Sequence, residues 1–339
     1  MDPSTCRADG SIERRSVEGF SFPLGVYPIE PMTPAPGYTL DFESADGDDY
    51  EWEEWPDRYV FDIVVSAERL KPLVWGLLSL FPGRVYPILD VLGRDAYREI
   101  DPYISYDLCG TDRLLEAFRR FEAFLLEDGL VGVGAMSDQP FYYVFVDEHK
   151  IVTVRAEPKA KERVEKLLAA FGLSEMSDPA GADAVAHEHR SVLEAPEDQA
   201  FLLTGDEIVE RLRDDWRLVL NVDPDQNLDP QGDDLGTTPW RCLVRVEDDE
   251  AETDRYADVF LTANSLRQAE RLALDTVSED AKQGKIASVI VSDRVVADEF
   301  FRDLGVEASG ERRRELSRPK IWDRRWLDRE PGGPSTPNE

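Results

Sequence analysis

The sequence predicts an α+β protein of two small domains, each an antiparallel or mixed sheet with helices on one face, as in a ferredoxin-like or related sandwich. Three observations carry this expectation. At 339 residues the chain exceeds what one core comfortably organises. Between 58 and 173, apolar alternation with period two repeatedly gives way to helical periodicity, in a β-α-β-β-α type of order. A small, polar, acidic stretch at 174–203 reads as a linker, and a second α+β run follows at 204–308. A Pro-rich, then acidic, extended arm over 1–57 and a basic, Trp-containing tail over 309–339 complete the expected organisation.

The arm carries Pro at 3, 23, 28, 31, 34, 36 and 56, which forbids helix and favours extended backbone. Phe20, Phe22, Leu24, Val26, Tyr27 and Ile29 suit it to lie on a domain surface. Residues 41–57 hold nine acids and no base, with Trp52 and Trp55 among them. A solvated loop explains that strip; a docking strip, with the two rings as anchors and the acids steering a basic partner, is the sharper reading.

In the first domain, Phe61, Ile63 and Val65 share one face of a strand at 58–66. A helix follows with Leu70, Val74, Leu77, Leu78 and Phe81 inward, Ser66 as its expected cap and Pro82-Gly83 as its stop. Short strands at "RVYPILDVLG", compromised by Pro87, and "PYISYDLCG" precede a helix from Thr111 to Gly129. "LVGVGAM", the hairpin "FYYVFVDEHKIVTVRA" and a closing helix end the domain. In the second, Thr204 with Glu207 and Ser265 with Gln268 have the spacing of capping boxes. "WRCLVRVE", "YADVFLTA" and "IASVIV", buried by its continuous apolar run, are its strands, and "DEFFRDLG" is a short helix.

Charge and composition exclude more than they assign. With 71 acidic against 39 basic residues and a formal charge of −32, the chain has no general affinity for nucleic acid or anionic membrane. No apolar run reaches the roughly 18 residues that a bilayer span needs. Cys6, Cys109 and Cys242 form no zinc or disulfide pattern, which points to a reducing cytoplasm.

Candidate chemistry is sparse. His149 falls at a hairpin tip, where a polar turn residue suffices. His187 and His189 form an H-x-H pair that could supply two metal ligands, but a site needs more and no other His or Cys is nearby in sequence. The 129–138 segment has the glycines of a dinucleotide loop in the wrong context, with helix before and strand after. Residues 223–234 place Asp223, Asp225, Asn227 and Asp229 in a calcium-loop register, yet Leu228 stands where a Gly must turn. The sequence therefore assigns no catalytic residue, no metal and no cofactor.

The tail is the sharpest feature: residues 312–330 carry eight Arg or Lys against four acids. A short helix around 320–328 would put Trp322 and Trp326 on one face, flanked by Arg324 and Arg325, as a docking arm. The expected function is a non-enzymatic cytoplasmic interaction or assembly protein that binds a protein partner or a second copy through its acidic surface and this arm. The alternatives are an acidic inhibitor of a nuclease or other basic nucleic-acid-binding protein, and a carboxylate-based enzyme with or without a divalent cation.

Overall fold

A computed structural model describes residues 5–45, 55–194, 199, 201–247, 254–278 and 286–327. It is a mixed α+β structure whose ladders are antiparallel, with eight α-helices among the described residues. The chain divides into two units, 1–92 with 100–221, and 93–99 with 222–339. No helix among the described residues is long and apolar enough to cross a membrane.

The first unit begins with three short strands of the arm, β1 (Ser16–Val17), β2 (Phe20–Ser21) and β3 (Val26–Pro28), and then β4 (Gly37–Glu43). There follow β5 (Arg58–Val64), α1 (Ala67–Leu78), β6 (Arg84–Leu92), β7 (Ile100–Ile104) and β8 (Cys109–Gly110). Next come α2 (Thr111–Arg120), α3 (Glu122–Glu127), β9 (Val131–Asp138), β10 (Phe141–Val146), β11 (Val152–Ala156) and α4 (Lys161–Ala170). The last are β12 (His187–His189), α5 (Gly205–Trp216) and β13 (Val219–Leu220).

Its main sheet runs β13-β7-β6-β9-β10-β11-β5-β4, with β8 beside β6, and is larger than the small sheet expected from the sequence. One core joins alternate strand residues (Phe61, Ile63, Val133, Val144, Val154) to Leu73 and Leu77 of α1, Phe118 of α2, Leu168 of α4 and Trp216 of α5. Pro87 does not break β6, because its missing N–H falls where the neighbour changes from β8 to β7. Gly132 and Gly134 make room for Phe145: a Cβ on either would lie 2.8 Å from that ring. Ser66 occupies the α1 N-cap without a side-chain bond to the helix's first amides, whereas Thr204 and Glu207 form both bonds of a capping box on α5.

The segment read as a linker is packed. Ala182, Val192, Leu202 and Leu203 are buried, and β12 pairs with β3. Isolated apolar residues at irregular spacing leave no periodic signal, so the sequence reads as polar there. The arm is likewise built in: Phe20, Phe22 and Val26 cluster with Val64 and Ala182.

The second unit contains β14 (Thr238–Val246), β15 (Arg255–Ala263), α6 (Leu266–Ser278), β16 (Ala287–Arg294), α7 (Ala297–Leu304), α8 (Gly310–Glu315) and β17 (Lys320–Trp326), in the sheet order β16-β14-β15-β17. Seven consecutive residues of β15, Ala257 to Ala263, are buried, which requires cover on both faces. The helix α6 lies along the sheet, while α7 packs Phe300 and Phe301 against Phe260 and Trp322. Helices on one face only, as the sequence suggested, is therefore corrected for this unit. So is the buried reading of "IASVIV": β16 is an edge strand, with Val291 39% exposed.

Candidate metal centre

The β10–β11 hairpin turns through Asp147, Glu148, His149 and Lys150. Asp147 sets the turn: its N–H donates to the Ile151 carbonyl at 3.0 Å, and its carboxylate accepts the Ile151 N–H at 2.8 Å. Lys150 takes a positive φ of 64° and sends its ammonium inward to the Val131 carbonyl. Burial pushes that amine down to about 8, against the pull of Asp128 and Asp147. His149 stands beside it with Nδ1 turned to Glu148 at 3.4 Å and Asp147 at 3.6 Å.

His187 and His189 arrive from a different part of the chain. On a strand, residues two apart point the same way, so β12 presents both rings together and sends Glu188 to the other side. The chain enters and leaves this strand under tight control. Arg190 N–H donates to Gly25 O at 2.8 Å and Gly129 N–H to Arg190 O at 3.1 Å. A Cβ on Gly25 would sit 2.1 Å from the Gly129 nitrogen, so only glycine allows this crossing. Asp128, buried, then accepts from Val192 N–H at 2.9 Å and from the Ser191 hydroxyl at 3.1 Å.

Two ring hydrogen bonds set the chemistry. His187 Nδ1–H donates to the Val185 carbonyl at 2.7 Å, and His189 Nδ1–H to the Gly129 carbonyl at 2.8 Å. A carbonyl can only accept, so both Nδ1 atoms carry the proton, an orientation that in a neutral ring leaves the lone pair on Nε2. Those two Nε2 atoms are 3.2 Å apart and face each other. Two lone pairs at that distance repel unless a cation or a shared proton lies between them. With zinc–nitrogen bonds of about 2.0–2.1 Å, two ligands on a tetrahedron are separated by roughly 3.3 Å. A backbone carbonyl on the far nitrogen is also the usual way a metal-binding imidazole is oriented.

His149 completes a triangle. Its ring centroid is 4.8 Å from each of the other two, and the three rings each offer a ligand nitrogen within 4.8 Å of the rest. With Nδ1 directed to carboxylates, Nε2 is the nitrogen left for a ligand role. The Asp147 carboxylate holds His149 above the ordinary imidazole range, against its desolvation. Burial, helped by the nearby His149 charge, pushes His189 below it. The acids around the cluster (Asp147, Glu148 and Asp183) supply negative charge that offsets a divalent ion.

Compared with known proteins, the chain matches no family model, no curated protein and no solved structure. Its site is therefore read from its own geometry.

The residues singled out from the sequence lie elsewhere. Trp52 is outside the described residues. Trp55 packs on its own sheet, 5.2 Å from Phe141, with Arg58 and Arg155 over its ring. In the tail, 320–326 is a strand, β17, paired with β15, and not a helix. Trp322 fits edge-on to Phe300 and Phe301, 5.7 and 5.8 Å away, and Arg255 lies over Trp326. Arg324 donates to Thr276 O at 2.7 Å, and Arg325 to Asp303 O at 2.9 Å and Leu304 O at 3.3 Å. These carbonyls belong to the last turns of α6 and α7, where orphan acceptors favour a cation. In the calcium-like loop, Asp225 pairs with Arg267, and Asp223, Asp229 and Asp234 accept from backbone amides of the same loop.

Local sequence around the H-x-H pair holds no third His or Cys. The third ring, His149, lies nearly forty residues away and is brought in by a fold that local spacing does not encode. The available signal was only that the chain has three histidines.

Proposed function

We propose that the protein binds one zinc-class divalent transition-metal ion through His149, His187 and His189. The observation that carries this is the 3.2 Å approach of the His187 and His189 Nε2 atoms, with both Nδ1 protons committed to carbonyls. Three imidazoles favour zinc, nickel or copper over calcium and magnesium, which prefer oxygen donors. The test is a titration of chelator-treated protein with zinc against a chromophoric competitor. One equivalent should bind, calcium and magnesium should not compete, and His187→Ala or His189→Ala should weaken affinity at least a hundredfold. Absence of stoichiometric binding would mean that the two imidazoles share a proton instead.

The metal reading does not replace the expectation of an interaction or assembly protein, organised as two domains of which the first elaborates a ferredoxin-like sandwich. What supports that second reading is the acidity of the chain, whose formal charge is −32. The arm has a different place in it. Trp322, Arg324, Arg325 and Trp326 are engaged within their own unit, so a protein partner or second copy would meet the acidic surface instead. Binding that weakens steeply between low and high salt would support this reading. Salt-independent binding would count against it.

A further inference from the structure

We infer that the ion at His149, His187 and His189 fastens the N-terminal arm to the main sheet, so that the arm's docking responds to metal supply; this rests on the metal-binding reading above. His187 and His189 belong to β12, which pairs with the arm strand β3, His187 opposite Pro28 and His189 opposite Val26. His149 belongs to the turn of a hairpin that is part of the nine-stranded sheet. One ion bonded to all three ties the β3–β12 ribbon to that hairpin.

Beyond its own short ladder, the ribbon is held by backbone bonds among Gly25, Glu127, Gly129 and Arg190 and by Asp128. A ladder of three residues is marginal as an isolated element. The arm's apolar anchor is a small cluster, Phe20, Phe22 and Val26 against Val64 and Ala182, with Ile151 packed on it. Ile151 lies two residues beyond His149, so the ion and the cluster hold the same place. Without a cation, the His187 and His189 Nε2 atoms face each other across 3.2 Å and neither ring is bonded through an ion to His149 on the hairpin. A groove of about 400 Å³ has Val17, Phe20 and Pro34 of the arm as one wall and Val65, Ser66 and Glu68 as the other. Release of the arm dismantles it.

Hydrogen exchange on the full chain, zinc-loaded and chelator-stripped, tests this, with bound zinc measured on the same samples. Stripping should speed exchange of amides in 20–28 and 187–190 at least tenfold, and those of β9 and β10 less than twofold. Zinc should restore protection in the wild type and not in His149→Ala. If that variant does not fold, the wild-type comparison alone carries the test. One equivalent of bound zinc with unchanged exchange in the arm overturns the fastening and leaves the metal reading standing. Failure of zinc to bind at all overturns both, and the titration reports it independently of exchange.

Discussion

The tail at 309–327 and the segment at 174–203 look alike in one respect: both are polar, and neither carries a strong apolar period. In the fold they are opposites. Every notable group in the tail has found a partner within its own unit: Trp322 among Phe300 and Phe301, Arg324 and Arg325 on the carbonyls that end α6 and α7. In the other segment, two histidines use one nitrogen each to hold their orientation and turn the other toward each other, 3.2 Å apart. A cluster whose polar groups are satisfied internally is architecture. A cluster that fixes its orientation and keeps its lone pairs convergent is a candidate for binding.

The extreme of the satisfied kind is Arg294. Its guanidinium bonds Asp95 at 2.9 Å, Asn227 at 3.3 Å and Leu228 O at 2.6 Å, with Asp95 0% and Arg294 7% exposed in their side chains. Asp95→Ala leaves that charge buried and unpaired, and is expected to cost about 3–5 kcal/mol. Denaturant unfolding measures it. A loss below 1 kcal/mol would show that water reaches Arg294 and that the cluster is not closed.

Trp322→Ala comes next, at about 2–4 kcal/mol, because a half-buried ring leaves a cavity beside two phenylalanines. The same change in thermal unfolding would be under 1 kcal/mol if the tail were a free hook, which would erase the contrast between the two regions.

Asp90 supplies a pH-dependent comparison beside the histidine cluster. Burial, with Glu148 and Asp147 adding to it, pushes its carboxyl up to about 6. An acid that holds its proton more tightly when folded costs nothing below its ordinary pKa of about 3.9, where both states are protonated. The cost grows as pH rises from there and is complete above about 6. Asp90→Asn should therefore stabilise metal-free protein by about 1–3 kcal/mol at pH 7. The gain should vanish below about pH 4. A gain that does not depend on pH would place its cause in packing.

The smallest effect separates two kinds of arginine. Arg324→Ala removes a donor from the last turn of α6 and should cost about 1 kcal/mol. Arg267→Ala breaks an exposed pair with Asp225 and should leave stability essentially unchanged. Equal values would mean that the tail's arginines act as ordinary surface charges.

Much of the architecture was legible because it is written in local periods. The alternation of Phe61 and Ile63, the stripe of Leu70, Val74 and Leu77, and the Thr204–Glu207 box each appear where the residues placed them. What escaped was long-range. Four-residue spacing fits one helical turn or two strand repeats, so it could not choose between them for Trp322 and Trp326. Pairing with β15 did, and its register shift between Phe260 and Leu261 turns Trp322 toward Phe300 and Phe301 while Trp326 lies under Arg255. Segment 93–99 belongs to the second unit because Asp95 neutralises Arg294, 199 residues away. The histidine cluster is the same kind of feature: its members are ordinary one at a time, and only the crossing at Gly25 and Gly129 brings them together.

The most direct test is a crystal of the full chain grown with zinc, with anomalous data collected on both sides of the zinc edge. The expected result is one zinc peak about 2.0–2.1 Å from Nε2 of His187, Nε2 of His189 and a ring nitrogen of His149. A map with no peak there, or with zinc only on surface carboxylates, would contradict the metal centre.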